Sequence, residues 1–252
     1  MLLLLLAVVS CKKSDNSIAA TVTTDQIADI TTGSLALSTT GLSTNFDDIT
    51  VGAESVSSLS GPAKTINTIG TGPGLPGQQC GITLTDSTVK TGTSHGVTFG
   101  YYLKYTHTLN CNSDSQADNL NYNLAFHGYY NGPNITAIDT GSSAFVIAGF
   151  TTGSTVFSMN GTYHRKGAFT SKVGDKVSGT SDLTIVVTNL IVTKSTRKIA
   201  GGSATIAIVI TTHKGQVSYH GTLIFNADDT ATFTVNGATY SINLLTGVKI
   251  KH

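Results

Sequence analysis

The chain has no tryptophan, only 12% charged residues and a net charge of +1. A protein that neutralises many phosphates needs a basic face, so this balance argues against nucleic acid as a partner. The apolar run at residues 2–9 stops at eight residues, far short of the roughly 20 that a membrane-spanning helix requires. The seven histidines occur singly, without His-x-x-x-His or His-Glu spacing, so no metal-ligand pattern stands out and no nucleophile, base and orienter can be named. These absences point to a non-enzymatic protein without a cofactor.

Three motifs fit poorly in their context. Gly72-Pro73-Gly74-Leu75-Pro76-Gly77 matches G-x-G-x-x-G, but a dinucleotide site needs a strand before it and a helix after it, and the two prolines read as a loop. Ser195-Thr196-Arg197-Lys198, Ser14-Asp15-Asn16 and Lys90-Thr91-Gly92 match the three penicillin-binding signatures in the wrong chain order, which chance explains. Asn110, Asn112, Asp114 and Asp118 fall at positions 1, 3, 5 and 9 of a calcium-loop pattern. Ser115 replaces its turn glycine and Asn121 its bidentate glutamate, so a solvated hairpin loop is the expectation and no metal is assigned.

What is present begins with Leu2-Leu3-Leu4-Leu5-Leu6-Ala7-Val8-Val9-Ser10-Cys11, followed abruptly by Lys12-Lys13-Ser14-Asp15-Asn16. An apolar stretch of this length suits the core of a signal peptide. Val8-Val9-Ser10-Cys11 resembles the lipobox of bacterial lipoproteins. The basic residues that precede such a core are missing between Met1 and Leu2, and are expected upstream of the start given. The resemblance implies removal of residues 1–10, acylation of Cys11 with palmitate-class chains, and attachment to a membrane, since two or more buried chains hold stably. Lys12 stands where an inner-membrane retention signal places Asp, which implies the bacterial outer membrane, with either its periplasmic or its cell-surface face. With Cys11 assigned to lipid, Cys80 and Cys111 remain as an even pair in an oxidising compartment. They are expected to be bonded, the alternative being two free thiols.

Residues 11–80 are rich in Ser, Thr, Ala, Asp and Gly and hold three of the four prolines, so they read mainly as a flexible lipidated tether. Thr24-Asp25-Gln26-Ile27-Ala28-Asp29-Ile30 is an exception, with a capping residue ahead of apolar positions at i, i+3 spacing, and predicts a short helix. Packed on the domain, such a helix would shorten the tether.

From residue 81 to 252 the pattern predicts an all-β domain: a large antiparallel up-and-down sheet, as a curved half-barrel or sandwich. Val97, Phe99, Tyr101, Leu103, Tyr105, His107 and Leu109 alternate with polar residues over 13 positions, about 43 Å of strand. Leu120, Tyr122, Leu124, Phe126 and Tyr130 alternate likewise. Further strands are expected near 142–150, 155–163, 167–173, 178–193, 201–212, 216–226, 230–235 and 238–246, with Asn160-Gly161 and Asn236-Gly237 among the turns. The unbroken apolar triplets Ile185-Val186-Val187 and Leu190-Ile191-Val192 suggest a central strand covered on both faces. In such a meander alternate loops share an end, which would gather Arg165, Lys166, Lys194, Arg197 and Lys198 into a basic rim suited to an anionic ligand; charged loops that merely protect edges are the plainer reading. The functional expectation is a binding lipoprotein holding a lipid, glycan or other surface ligand in an open apolar hollow. The alternative is a structural or adhesive surface protein whose hollow is filled by its own chain.

Overall fold

The computed structural model describes residues 22–57 and 80–252. Cys11 with its lipobox, the glycine and proline stretch 72–77, and Ser14-Asp15-Asn16 lie outside the described residues. Helices α1 (Thr24–Leu35) and α2 (Leu42–Ser57) are joined through a 3-10 turn at Leu37–Thr39. Eleven strands follow: β1 (Thr83–Ser94), β2 (Val97–Cys111), β3 (Ala117–Asn131), β4 (Ile135–Ala148), β5 (Val156–Ser171), β6 (Ser178–Thr193), β7 (Ile199–Thr212), β8 (Gly215–Phe225), β9 (Thr230–Val235), β10 (Ala238–Asn243) and β11 (Lys249–Lys251). They form one sheet in chain order, every neighbour antiparallel. The sheet is not closed, so β1 and β11 are its two edges.

The period-two pattern decides which way each strand faces. Tyr101, Leu103, Tyr105, Leu124, Phe126, Phe145, Tyr163, Ile185, Ile208, Leu223 and Phe233 all point to one buried side. The outward side is largely Thr, Ser and Asn. A membrane-spanning barrel would present its apolar band outward to lipid; here the apolar side faces in.

That inner side is not hollow. Residues 22–57, expected to be mostly tether, form a helical insert that the sheet curls around. Phe46 of α2 meets Phe145 of β4 and Phe225 of β8 edge-on, with ring centres 5.6 and 5.7 Å away. Ile27, Leu35, Leu42 and Ile49 are fully buried. The predicted helix is real but longer, and its cap is Thr23: the Thr23 hydroxyl accepts from the Gln26 backbone N–H, and the Gln26 side chain accepts from the Thr23 N–H. This reciprocal pair satisfies two otherwise orphaned donors. Helix propensity is poor in such Thr- and Ser-rich segments, so enclosure by the sheet supplies most of their stability.

Both sheet edges are fastened to the insert. On β1, the Lys90 ammonium donates to both oxygens of Asp48 in α2, at 2.7 and 2.9 Å. On β11, Lys249 pairs with Asp29 at 2.9 Å and Lys251 with Asp25 at 3.1 Å, both in α1. Lysines on an edge strand oppose pairing with another chain, and here they also tie each edge to a helix of the insert. Asp25 further accepts a hydrogen bond from Tyr240 at 2.7 Å. That bond first, and Lys251 second, hold its carboxyl below the ordinary carboxylate value. A carboxylate depressed in this way stabilises the fold above its unfolded pKa, about 3.9, and loses the contribution as pH falls through the lower folded value. Asp25→Asn is therefore expected to cost at most about 0.5 kcal/mol at pH 7, because the pair is exposed and screened. In urea unfolding followed by circular dichroism, that difference should fade as pH falls below the unfolded carboxylate value.

Several strand expectations need correction. β5 is continuous across 156–171, against the expectation of two strands and an Asn160-Gly161 turn. The dipeptide sits instead opposite a bulge: two residues of β6, Thr188 and Asn189, face Asn160. Asn189 adopts φ 49°, and its N–H donates to the Asn160 side-chain oxygen at 2.8 Å. The extra residue switches the parity of β6, so Ile185, Val187, Leu190 and Val192 all face in, as a bulge permits. Val186 is 45% exposed, so β6 is not covered on both faces. Asn236-Gly237 is a two-residue turn as expected, with φ 49° and 75°. β1 and β11 have no counterpart among the expected strands, and β4 starts at Ile135 rather than 142.

Cys80 and Cys111 form the expected disulfide, with Cα atoms 5.5 Å apart. It ties the residues before β1 to the end of β2.

Candidate functional site

The anticipated basic rim is not assembled. Arg165 and Lys166 lie in the middle of β5, not in a loop, and alternation sends them to opposite faces. Arg165 points inward and is 3% exposed. Lys194, Arg197 and Lys198 do share the β6–β7 turn, but each is engaged. Lys194 donates to the Gly149 carbonyl, Arg197 pairs with Glu54 at 2.7 Å, and Lys198 pairs with Asp229 at 3.4 Å. The five cations expected together are thus divided among the interior, the outer face and one end of the sheet.

Arg165 instead organises the interior. Its Nε lies 2.9 Å from Asp139 Oδ2. Its Nη1 donates to the Gly33 carbonyl of α1 at 2.9 Å, and its Nη2 to the Thr39 carbonyl at 3.4 Å and to the Tyr101 hydroxyl. The Tyr101 hydroxyl donates to Asp139 Oδ1 at 3.0 Å. The guanidinium lies 5.3 Å from the Tyr101 ring centre, 5.7 Å from that of Phe126 and 5.0 Å from that of Tyr130, so aromatic faces complete its enclosure. Burial would lower its pKa, but Asp139 and the surrounding phenols outweigh that and hold it above the ordinary value. Burial pushes the Tyr163 phenol up to about 12. The guanidinium is matched to acceptors of the chain itself, so the cluster couples α1 and the 3-10 turn to β2, β4 and β5. At Gly33 the helix comes so close that a Cβ would collide with the Tyr130 hydroxyl. Glycine is required by this approach.

The outer face carries the site with the most exposed chemistry. The ladders align His127 of β3, Thr140 of β4, Lys166 of β5, Asp182 of β6 and Val209 of β7 in one row. These residues line a shallow trough of about 730 Å³ together with Ile138. Inward-facing Gly128 and Gly167 contribute backbone to its floor. His164 Nε2 lies 2.7 Å from Asp182 Oδ1, while the Tyr102 and His127 ring centres are 5.2 Å apart. Tyr129, whose ring covers Gly100, is 46% exposed and pairs across the sheet with Ile138, which is 69% exposed. Exposed flat rings and an isoleucine beside a cation and a carboxylate suit a ligand with one apolar face and hydroxyl or acid groups at its rim. The composition of single strands does not reveal this row; only the cross-strand register brings its members together.

Among the described residues no three of His, Cys, Asp and Glu are placed to share a metal ion. In the loop after β2, the Asn112 side-chain oxygen accepts from the N–H groups of Asp114 and Gln116, at 3.0 and 2.9 Å. Asn110 donates to Asn119, and Asn119 to Asp118. Of the oxygens in the pattern read from the sequence, those of Asn112 and Asp118 accept hydrogen bonds within this hairpin. Comparison with protein-family models, with curated proteins and with solved structures found no match.

Proposed function

We propose that the chain is a lipid-anchored, non-enzymatic protein of the bacterial outer envelope that works through the outside of its sheet, as an adhesive or structural surface protein. The observation that carries this reading is the filled interior: α1, the 3-10 turn and α2 occupy the concave side where a carried lipid would otherwise lie. Arg165 hydrogen-bonds that insert in place. Binding is then left to the outer trough at His127, Ile138, Lys166 and Asp182, whose mixture of apolar area and polar rim fits a glycan ring. The lipobox resemblance at Cys11 supplies the anchor.

Intact-mass measurement of the native protein extracted from membranes tests the reading. The expected species begins at Cys11, carries three acyl chains, lacks two hydrogens for the disulfide, and retains no lipid under non-denaturing conditions. A lipid held one to one until the protein unfolds would place the ligand inside and overturn it. So would an unmodified chain.

A further inference from the structure

We infer that the end of the sheet carrying the β5–β6 and β7–β8 turns lies against the membrane and contacts anionic phospholipid headgroups. This rests on the proposed acylation of Cys11, and the first argument is reach. The described chain enters the interior at Val22, whose carbonyl accepts from Tyr219 at 3.4 Å and which lines a small cleft with Asp175, Lys176, His213 and Lys214. The entry point is thus beside those two turns. Residues 12–21 join it to Cys11, and that stretch spans at most about 40 Å when fully extended. A 16-residue strand such as β6 is about 50 Å along its path. Bringing the opposite end to the bilayer would consume the whole tether alongside the domain, whereas the entry end is within easy reach.

Charge gives the second argument. The β5–β6 and β7–β8 turns carry Lys172, Lys176 and Lys214 against Asp175, and all four are exposed. Val173, 40% exposed, sits at the tip between Lys172 and Lys176, an apolar contact flanked by cations. The opposite end carries Asp114, Asp228, Asp229 and Glu54 against Lys194, Arg197 and Lys198, with Arg197 paired to Glu54 and Lys198 to Asp229. The domain is therefore basic where the tether leaves it and slightly acidic where it does not. Each lysine held near an anionic surface adds favourably to attachment, and the effect decays within a Debye length. Three of them do not bind a protein to a membrane unaided, but they orient one that is already tethered.

Lysine acetylation of the full acylated protein, read by peptide mass spectrometry, tests this directly. The protein is reconstituted in phosphatidylcholine vesicles with and without phosphatidylglycerol, and compared with detergent micelles. With phosphatidylglycerol, labelling of Lys172, Lys176 and Lys214 is expected to fall about fivefold, while Lys194 and Lys198 label as in micelles. High salt should restore it. An acylated Cys11 peptide with equal labelling at both ends, or protection of Lys194 and Lys198 instead, overturns the orientation and leaves the anchor intact. An unacylated Cys11 peptide on a chain that does not float with vesicles overturns the anchor and this inference with it.

Discussion

Replacing Arg165 with methionine is expected to lower the unfolding free energy by about 3–5 kcal/mol, the cost of removing one partner of a buried ion pair. The loss has two sources. Asp139, 6% exposed, would keep the Tyr101 hydroxyl but lose the guanidinium, and the carbonyls of Gly33 and Thr39 would lose their donor. Pairing the change with Asp139→Asn removes the stranded charge and should recover at least half of the loss, because the penalty of a broken buried pair lies mainly in the partner left behind. Urea unfolding of the two variants, followed by circular dichroism, measures both. Equal stability of the single and double variants would mean that Asp139 is not the residue suffering, and the pair would not be a latch between sheet and insert.

Reducing the Cys80–Cys111 disulfide should cost about 2–4 kcal/mol. In the chain-entropy model, closing a loop of this length restricts the unfolded chain by roughly 3–4 kcal/mol; the sequence separation is 31. The structure adds a local reason. β1 is an edge strand that pairs on one side only, and most of its residues are exposed, so little burial holds its start in place. Reduction is expected to loosen this corner first. Hydrogen exchange at Thr83–Ser94 should rise before global unfolding, and the urea midpoint should fall. An unchanged midpoint after verified reduction would show that the β1–β2 ladder alone holds the edge.

How much of the fold is legible in the sequence depends on whether a face is uniformly apolar. β2 and β3 alternate cleanly and can be read almost residue by residue. The start of β4 cannot, because Asp139 and Gly141 fall on its inward face where the pattern calls for apolar residues, and both are there for Arg165 and the Phe126 ring. β1 has Asp86, Thr88, Lys90 and Ser94 inward, so it shows no alternation. Asn160-Gly161 misleads because the dipeptide favours a tight turn, and the same Asn amide can instead hold open a bulge across the ladder. The break expected between 155–163 and 167–173 turns Arg165 and Lys166 into loop residues, although β5 runs unbroken through both, and the expected basic rim follows from that error. The helices are hidden by their Thr and Ser content, although Phe46, Ile49, Ala53 and Val56 recur at helical spacing. The outer trough lies beyond any reading along the chain, since it runs across five strands.

The ion pairs that fasten α1 to β11 also bear on how the protein reaches this state. Asp25 and Lys251 are 226 positions apart, so this tie between the first described helix and the last strand forms only when almost the whole chain has arrived. Non-local contacts of that kind make folding slow, because the entropy of a long loop must be lost before any of the interaction is gained. The long hairpins can form one after another as the chain emerges, and the insert they enclose gains its last ion pairs only when the final strand docks. Docking of the final strand is then a late step, and a chain cut short by its last few residues would lose the ties of Lys249 and Lys251 to α1.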